Sequence, residues 1–175
     1  MANKDALREL QTRLASRLQA AKTQPRARGW LAVECAGAGM LLPLSQAGEI
    51  FPLRGLLKLP HAKPWLAGVA QLRGDLYSVI DLAAFLGLRP AQADGAAAGG
   101  QLVMMAPALL VNAALRVDRL AGLRGEEQLE RLPDADAAGR PAFAAGQWKD
   151  AQGGVWQELD LGALAVDGAF LDVMV

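Results

Sequence analysis

Between Pro64 and Leu88 the chain reads PWLAGVAQLRGDLYSVIDLAAFLGL, and in those 25 residues it has to run out, turn back and then coil. Leu66 to Leu72 is an apolar run of strand length, Arg73 and Gly74 form a corner, and Leu76 to Ile80 is a second run. The corner carries charge in an otherwise apolar segment, which is the punctuation of a hairpin whose strands reverse over two residues. Asp81 then stands before Leu82, Ala83, Phe85 and Leu86. A carboxylate there accepts from the first free backbone N–H groups of a helix, so the spacing predicts an N-cap at Asp81.

Around this stretch the periodicity is mainly that of strands. From Trp30 it is two, with Leu31, Val33 and Cys35 on one side and Trp30, Ala32 and Glu34 on the other. Gly37 to Gly39 read as a turn and Met40 to Leu44 as the returning strand. Ser45 to Ile50 leads away from that hairpin, and Glu49, set among apolar strands, needs a cation; the Arg73 guanidinium is the one placed to clasp it. Phe51 to Lys63 reads as an irregular connection and Arg89 to Gly100 as a flexible loop. Leu102 to Ala106, Ala108 to Val111 and Ala113 to Leu120 read as strands with Pro107 at a bend. Glu126 to Ala145 reads as a loop with one short helix at most, and Val155 to Leu161 as a strand running into a helical segment. At the other end, Leu7, Leu10, Leu14 and Leu18 recur at helical spacing among Lys4, Arg8, Arg13 and Arg17, predicting an amphipathic helical extension over residues 1–25, closed before Pro25. Residues 26–175 then form the main domain. Val79 to Leu86 and Glu158 to Ala165 echo one another: a strand, an Asp (Asp81, Asp160), then a helix. The echo points to two similar lobes.

Much chemistry is excluded. One histidine and one cysteine cannot assemble a metal site of His and Cys ligands. A serine triad would have to use His61, in a proline-flanked loop with no orienting acid nearby. The paired carboxylates at Glu126 and Glu127, and at Asp134 and Asp136, lie in polar loops that do not desolvate them as acid catalysis requires. Eighteen basic and eighteen acidic residues cancel, and aromatic content is 5%, leaving neither a basic groove nor a stacking platform for nucleic acid. The lone Cys35 and the absence of an apolar signal core near Met1 fit a reducing cytoplasm. The uncharged run from Gly95 to Leu115 is broken by Gly99, Gly100, Pro107 and Asn112, and reads as linker and strands, so no membrane insertion is expected. Neither enzyme activity nor a cofactor is indicated, and interaction with other proteins is what remains.

The residues Gly68 to Gly74, with Ser78 to Leu82 and the short helix ending at Leu86 and Gly87, resemble the signature of CheW-like domains, the adaptors of bacterial chemosensory arrays. Glu49 and Ile50, and the block Leu115 to Leu120 with Asp118, match further parts of that pattern, which spans roughly residues 30–170. Gln71 and Ser78 depart from it, where the family usually has Asn and often Pro. Trp65 and Leu76 to Val79 are most similar to the branch serving type IV pili and twitching motility (PilI-like). The resemblance implies two small five-stranded β-barrels around a shared core. It implies a non-catalytic cytoplasmic adaptor, recruited to membrane-associated arrays, that binds a chemoreceptor cytoplasmic tip and the regulatory domain of a CheA-type histidine kinase. By the same resemblance the receptor-side positions are Ala47, Glu49, Gly68 and Arg73, and Ile50, Gln71, Gly74, Asp81, Asp118 and Asp160 are structural. An adaptor of a flagellar array and a small-ligand-binding barrel are the alternatives.

Overall fold

A chain that buries both faces of strands such as residues 101–105 and 113–117 needs more than one core, and the computed structural model, which describes residues 28–90, 99–133 and 139–175, has three apolar clusters. The extension over residues 1–25 and most of the loop expected between Arg89 and Gly100 lie outside the described residues. Among those described there are eleven strands: β1 (Gly29–Cys35), β2 (Ala38–Pro43), β3 (Ala47–Pro52), β4 (Leu66–Leu72), β5 (Asp75–Asp81), β6 (Gln101–Met105), β7 (Ala113–Val117), β8 (Arg119–Gly125), β9 (Leu129–Arg131), β10 (Ala144–Asp150) and β11 (Val155–Leu159). Three short helices, α1 (Leu82–Phe85), α2 (Leu161–Ala165) and α3 (Gly168–Leu171), complete the fold. The fold is mainly β, as the alternation in sequence requires.

The strands form a six-stranded sheet in the order β8-β1-β2-β11-β10-β9 and a five-stranded sheet in the order β3-β6-β7-β5-β4. The five-stranded unit is continuous in sequence, whereas the six-stranded one is assembled from both sides of it. Strand alternation then divides the side chains. Leu31, Val33 and Cys35 of β1, Val103 and Met105 of β6 and Leu115 and Val117 of β7 face the large core shared by the two sheets. Leu102, Met104, Ala114, Val79, Ala70 and Leu72 fill the five-stranded unit. Trp30, Ala32, Leu41, Trp148 and Trp156 fill the six-stranded one. In β4 a register shift between Leu66 and Gly68 lets Leu66 oppose Ile80 in the shared core while Ala70 and Leu72 turn to the other cluster.

Both hairpins expected from the sequence turn over two residues. At the Arg73-Gly74 corner φ is 54° and 95°, and at Ala36-Gly37 it is 50° and 80°, so each central residue has the positive φ that matches the twist of the flanking strands. The first hairpin therefore turns earlier than the glycine run suggests, and its second strand is Ala38–Pro43. Asp81 caps α1 through the Ala84 N–H (3.2 Å), and Asp160 caps α2 through the N–H groups of Gly162 and Ala163 (2.9 and 3.1 Å). The repeat read from the sequence is thus real as a pair of strand-to-capped-helix joints. Helices of four or five residues do not persist by propensity and depend on such caps and on packing. Trp65 meets Phe85 edge-on at 5.2 Å, and Phe85 meets Phe170 at 5.4 Å, which seats α1 and α3 together.

Three expectations are corrected. Residues 107–109 form a 3-10 turn rather than strand, because Pro107 opens it and Leu110, at φ 58°, ends it in a conformation no strand admits. The stretch from Glu126 to Ala145 contains β9 and the start of β10. The three-residue β9, at the sheet edge, is too short and polar to show an alternation, and β10, between β11 and β9, turns only Gly146 and Trp148 inward against Gln147 and Lys149, a weak strand signal. The lobes are also unequal, because the three-residue β9 adds a sixth strand to one of them.

Candidate functional site

In the five-stranded sheet β3 and β4 lie at opposite ends of the ladder, yet their flanks meet. Leu57, just beyond β3, exchanges two 2.8 Å backbone hydrogen bonds with Val69 of β4. Farther along, Arg73 Nε donates to Glu49 Oε2 at 2.7 Å and Arg73 Nη2 stands 2.6 Å from the same oxygen. The sheet is rolled into a small barrel, and this pair of contacts is its seam. The clasp between Glu49 and Arg73 expected from the sequence is therefore formed.

Its energetics suit display better than support. The two side chains are 50% and 66% exposed, so solvent and salt screen the pair, and it contributes well under about 1 kcal/mol. Ile50 is exposed beside Glu49 on the edge strand, and Leu76, opposite Gln71 in the β4–β5 ladder, is exposed near the corner. Gln71 Nε2 donates to the Gly74 carbonyl at 3.3 Å, which steadies the turn. Ala47, where β3 begins, is half-buried against the shared core. Gly68 is buried, with φ of 143°, and a Cβ there would collide with the Leu57 carbonyl, whose carbon lies 2.9 Å away. The backbone that approaches Gly68 closely is thus the chain's own Leu57. Gly68 shapes the seam from inside while Glu49, Ile50 and Arg73 form its outer edge.

A second polar cluster lies where the chain passes from one sheet to the other. Asp81 and Arg116 face each other across the parallel β5–β7 ladder, 3.2 Å apart, and Arg116 is 1% exposed. Arg89, just after α1, donates through Nη2 to both Asp81 oxygens at 3.0 Å and through Nη1 to Asp118 at 2.7 and 2.9 Å. Asp118 also accepts the Ala36 N–H at 2.7 Å, and its own N–H donates to Glu34. Asp81 and Asp118 were legible as motif positions. Arg89 and Arg116 were missed, although an arginine between Leu115 and Val117 in a strand buried on both faces was a signal that a carboxylate must oppose it.

Burial alone would raise the Asp118 carboxyl, but the Ala36 N–H and the Arg89 guanidinium outweigh it and hold the carboxyl below its ordinary value. Burial likewise lowers Arg89, and its bonds to Asp118 and Asp81 overcome this and raise it. A depressed carboxylate stabilises the fold at pH above its unfolded value, about 3.9, and that stability is lost as pH falls toward the folded value. Asp118→Asn is therefore expected to lower the urea midpoint at pH 7, with the gap to the native chain narrowing as pH falls below about 4. A gap independent of pH would contradict the pairing. Cys35, fully buried next to this cluster, has its thiol pushed up to about 12, mainly by burial and then by Asp118. It remains a thiol at neutral pH, packed as an apolar side chain.

Among the described residues no group of three or more His, Cys, Asp or Glu side chains is arranged to hold a metal ion, and no helix is long and apolar enough to cross a membrane. His61 lies in an exposed turn, where its carbonyl accepts from Val175.

The family model for the CheW-like domain matches residues 29–168. The chain belongs to the CheW-like domain family. Within that family, Protein PilI of Pseudomonas aeruginosa is 31% identical over 168 residues, covering 93% of this chain and 89% of that one, so the chain is of the PilI-like kind. The fold is similar to the crystal structure of the scaffolding protein TtCheW from Thermoanaerobacter tengcongensis, with a TM-score of 0.60 at 20% identity over 79% of this chain and 88% of that one. The barrel seam lies within the matched residues.

Proposed function

We propose that the protein is a non-catalytic adaptor that holds the cytoplasmic tip of a chemoreceptor and the regulatory domain of a CheA-type histidine kinase in one geometry. A change at the receptor then shifts the kinase between active and inactive arrangements, a coupling that needs differential contacts and no bond chemistry. The observation that carries this reading is the seam. Glu49 and Arg73 are clasped in solvent, where a receptor could reach them, on a barrel whose interior is filled by Ala70, Leu72, Val79, Leu102 and Met104, and the resemblance of these positions to the family pattern supports the reading. Such a filled interior does not favour the ligand-binding barrel. Similarity to PilI supports service to a type IV pilus and twitching motility over a flagellar array, at a cytoplasmic location beneath the receptors.

Calorimetry of the purified chain against a receptor tip tests the seam directly. Glu49→Ala and Arg73→Ala are each expected to weaken receptor binding at least tenfold, leave kinase-domain binding within about twofold, and change stability by less than about 1 kcal/mol. Unchanged receptor affinity in both variants would place the receptor elsewhere.

A further inference from the structure

Away from the seam, a cleft of about 700 Å³ opens on the six-stranded lobe between the start of β1, the Pro43 to Gln46 turn and the end of β11. Its volume is that of a small-ligand site. On one wall is Glu158, 6% exposed, whose two oxygens accept the indole N–H groups of Trp30 (3.0 Å) and Trp148 (2.8 Å). A carboxylate offers about four acceptor positions, so two indoles leave it half used. Asp160 lines the same cleft. Its Oδ1 takes the Gln46 amide and the two N–H groups of α2, while among the described residues Oδ2 accepts nothing. The lining thus holds two carboxylates against one cation, Arg28.

Arg28 shows what the site prefers. Its guanidinium lies 5.8 Å from the Trp30 ring centre and 3.7 Å from Glu158 Oε1, too far for a hydrogen bond, and the side chain is 59% exposed. It is a loose occupant, held by charge and by the ring face. Trp30 is 1% exposed with the Arg28 guanidinium over its ring, so a planar guanidinium taking the place of Arg28 would stack on that face and meet the Glu158 carboxylate, two interactions an ammonium ion satisfies less well.

We propose that this cleft binds the guanidinium of an arginine presented by a partner polypeptide, with Glu158 as its anion, Trp30 as its platform and Arg28 as an internal competitor. Its apolar stem would lie along Pro43 and Leu44. The source is assigned as peptide-borne because a guanidinium with no other charge balances the net single negative charge of the lining, Glu158 and Asp160 against Arg28, whereas free arginine brings an α-carboxylate and an α-ammonium besides. The assignment does not depend on the adaptor reading.

The test uses the full chain with N-acetyl-L-argininamide and, in parallel, free L-arginine, read by tryptophan fluorescence and calorimetry. The amide is expected to give a saturable response, at least threefold tighter in Arg28→Ala, where the competitor is gone and the surface change leaves the fold intact. Glu158→Gln is expected to weaken it at least tenfold, with a thermal melt confirming that this variant is folded. No saturable response from Arg28→Ala, or affinity unchanged by that substitution, overturns the site. Free arginine binding as tightly as the amide overturns its assignment to a polypeptide.

Discussion

Asp81→Ala is expected to destabilise the protein by about 3–5 kcal/mol, a large part of the 5–15 kcal/mol available to a domain. The carboxylate has three tasks. It caps α1, receives Arg89 through both oxygens, and faces Arg116 in the dry interior of the β5–β7 ladder. Loss of the cap accounts for about 1 kcal/mol. The larger share comes from leaving the Arg116 guanidinium buried without the carboxylate that opposes it. Asp81→Asn, which can still cap, is expected to recover only the smaller share. Urea denaturation of both variants separates the two contributions, and an Asp81→Asn loss far smaller than that of Asp81→Ala would show that the cap rather than the charge dominates.

Gly68→Ala is expected to cost about 3 kcal/mol or more and to open the barrel seam. A φ of 143° is one that a side chain resists, at roughly 1–3 kcal/mol. The added methyl also meets the Leu57 carbonyl, so the two Leu57–Val69 hydrogen bonds, about 1 kcal/mol each, must lengthen or break. Gly74→Ala is the control, since nothing lies within 4 Å of its Cβ position and only strain of about 1–2 kcal/mol remains. Hydrogen exchange reads the difference. Val69 and Leu57 amides are expected to lose protection in Gly68→Ala and keep it in Gly74→Ala; protection retained in both would contradict the seam.

The parts of the fold that local chemistry dictates were legible in the sequence. The Arg73-Gly74 corner, the Asp81 and Asp160 caps and the alternation of β1 each depend on neighbours in the chain. Even the Glu49–Arg73 clasp could be anticipated, because a charge among apolar strands demands an opposite charge. What was not legible depends on distant segments. Strand β9 becomes a strand by pairing, with Arg131 opposite Trp148, and its three residues do not announce it; the alternation of β10 rests on Gly146 and Trp148 alone until Trp148 pairs with Trp156. Glu158 gave no sign that two indoles from residues 30 and 148 would converge on it. Gly68 was read as a receptor-side position, and the backbone that approaches it, Leu57, sits in a connection with no pattern of its own.

The adaptor reading stands or falls on whether one molecule holds two partners at once. Sedimentation velocity of the purified chain mixed with a receptor tip and with the kinase regulatory domain, singly and together, measures this. The account requires two binary complexes and a larger ternary one, with Arg73→Ala losing the receptor-containing species while retaining the kinase complex. Two partners that displace each other, or neither binding, would contradict it and leave a CheW-like fold put to another use.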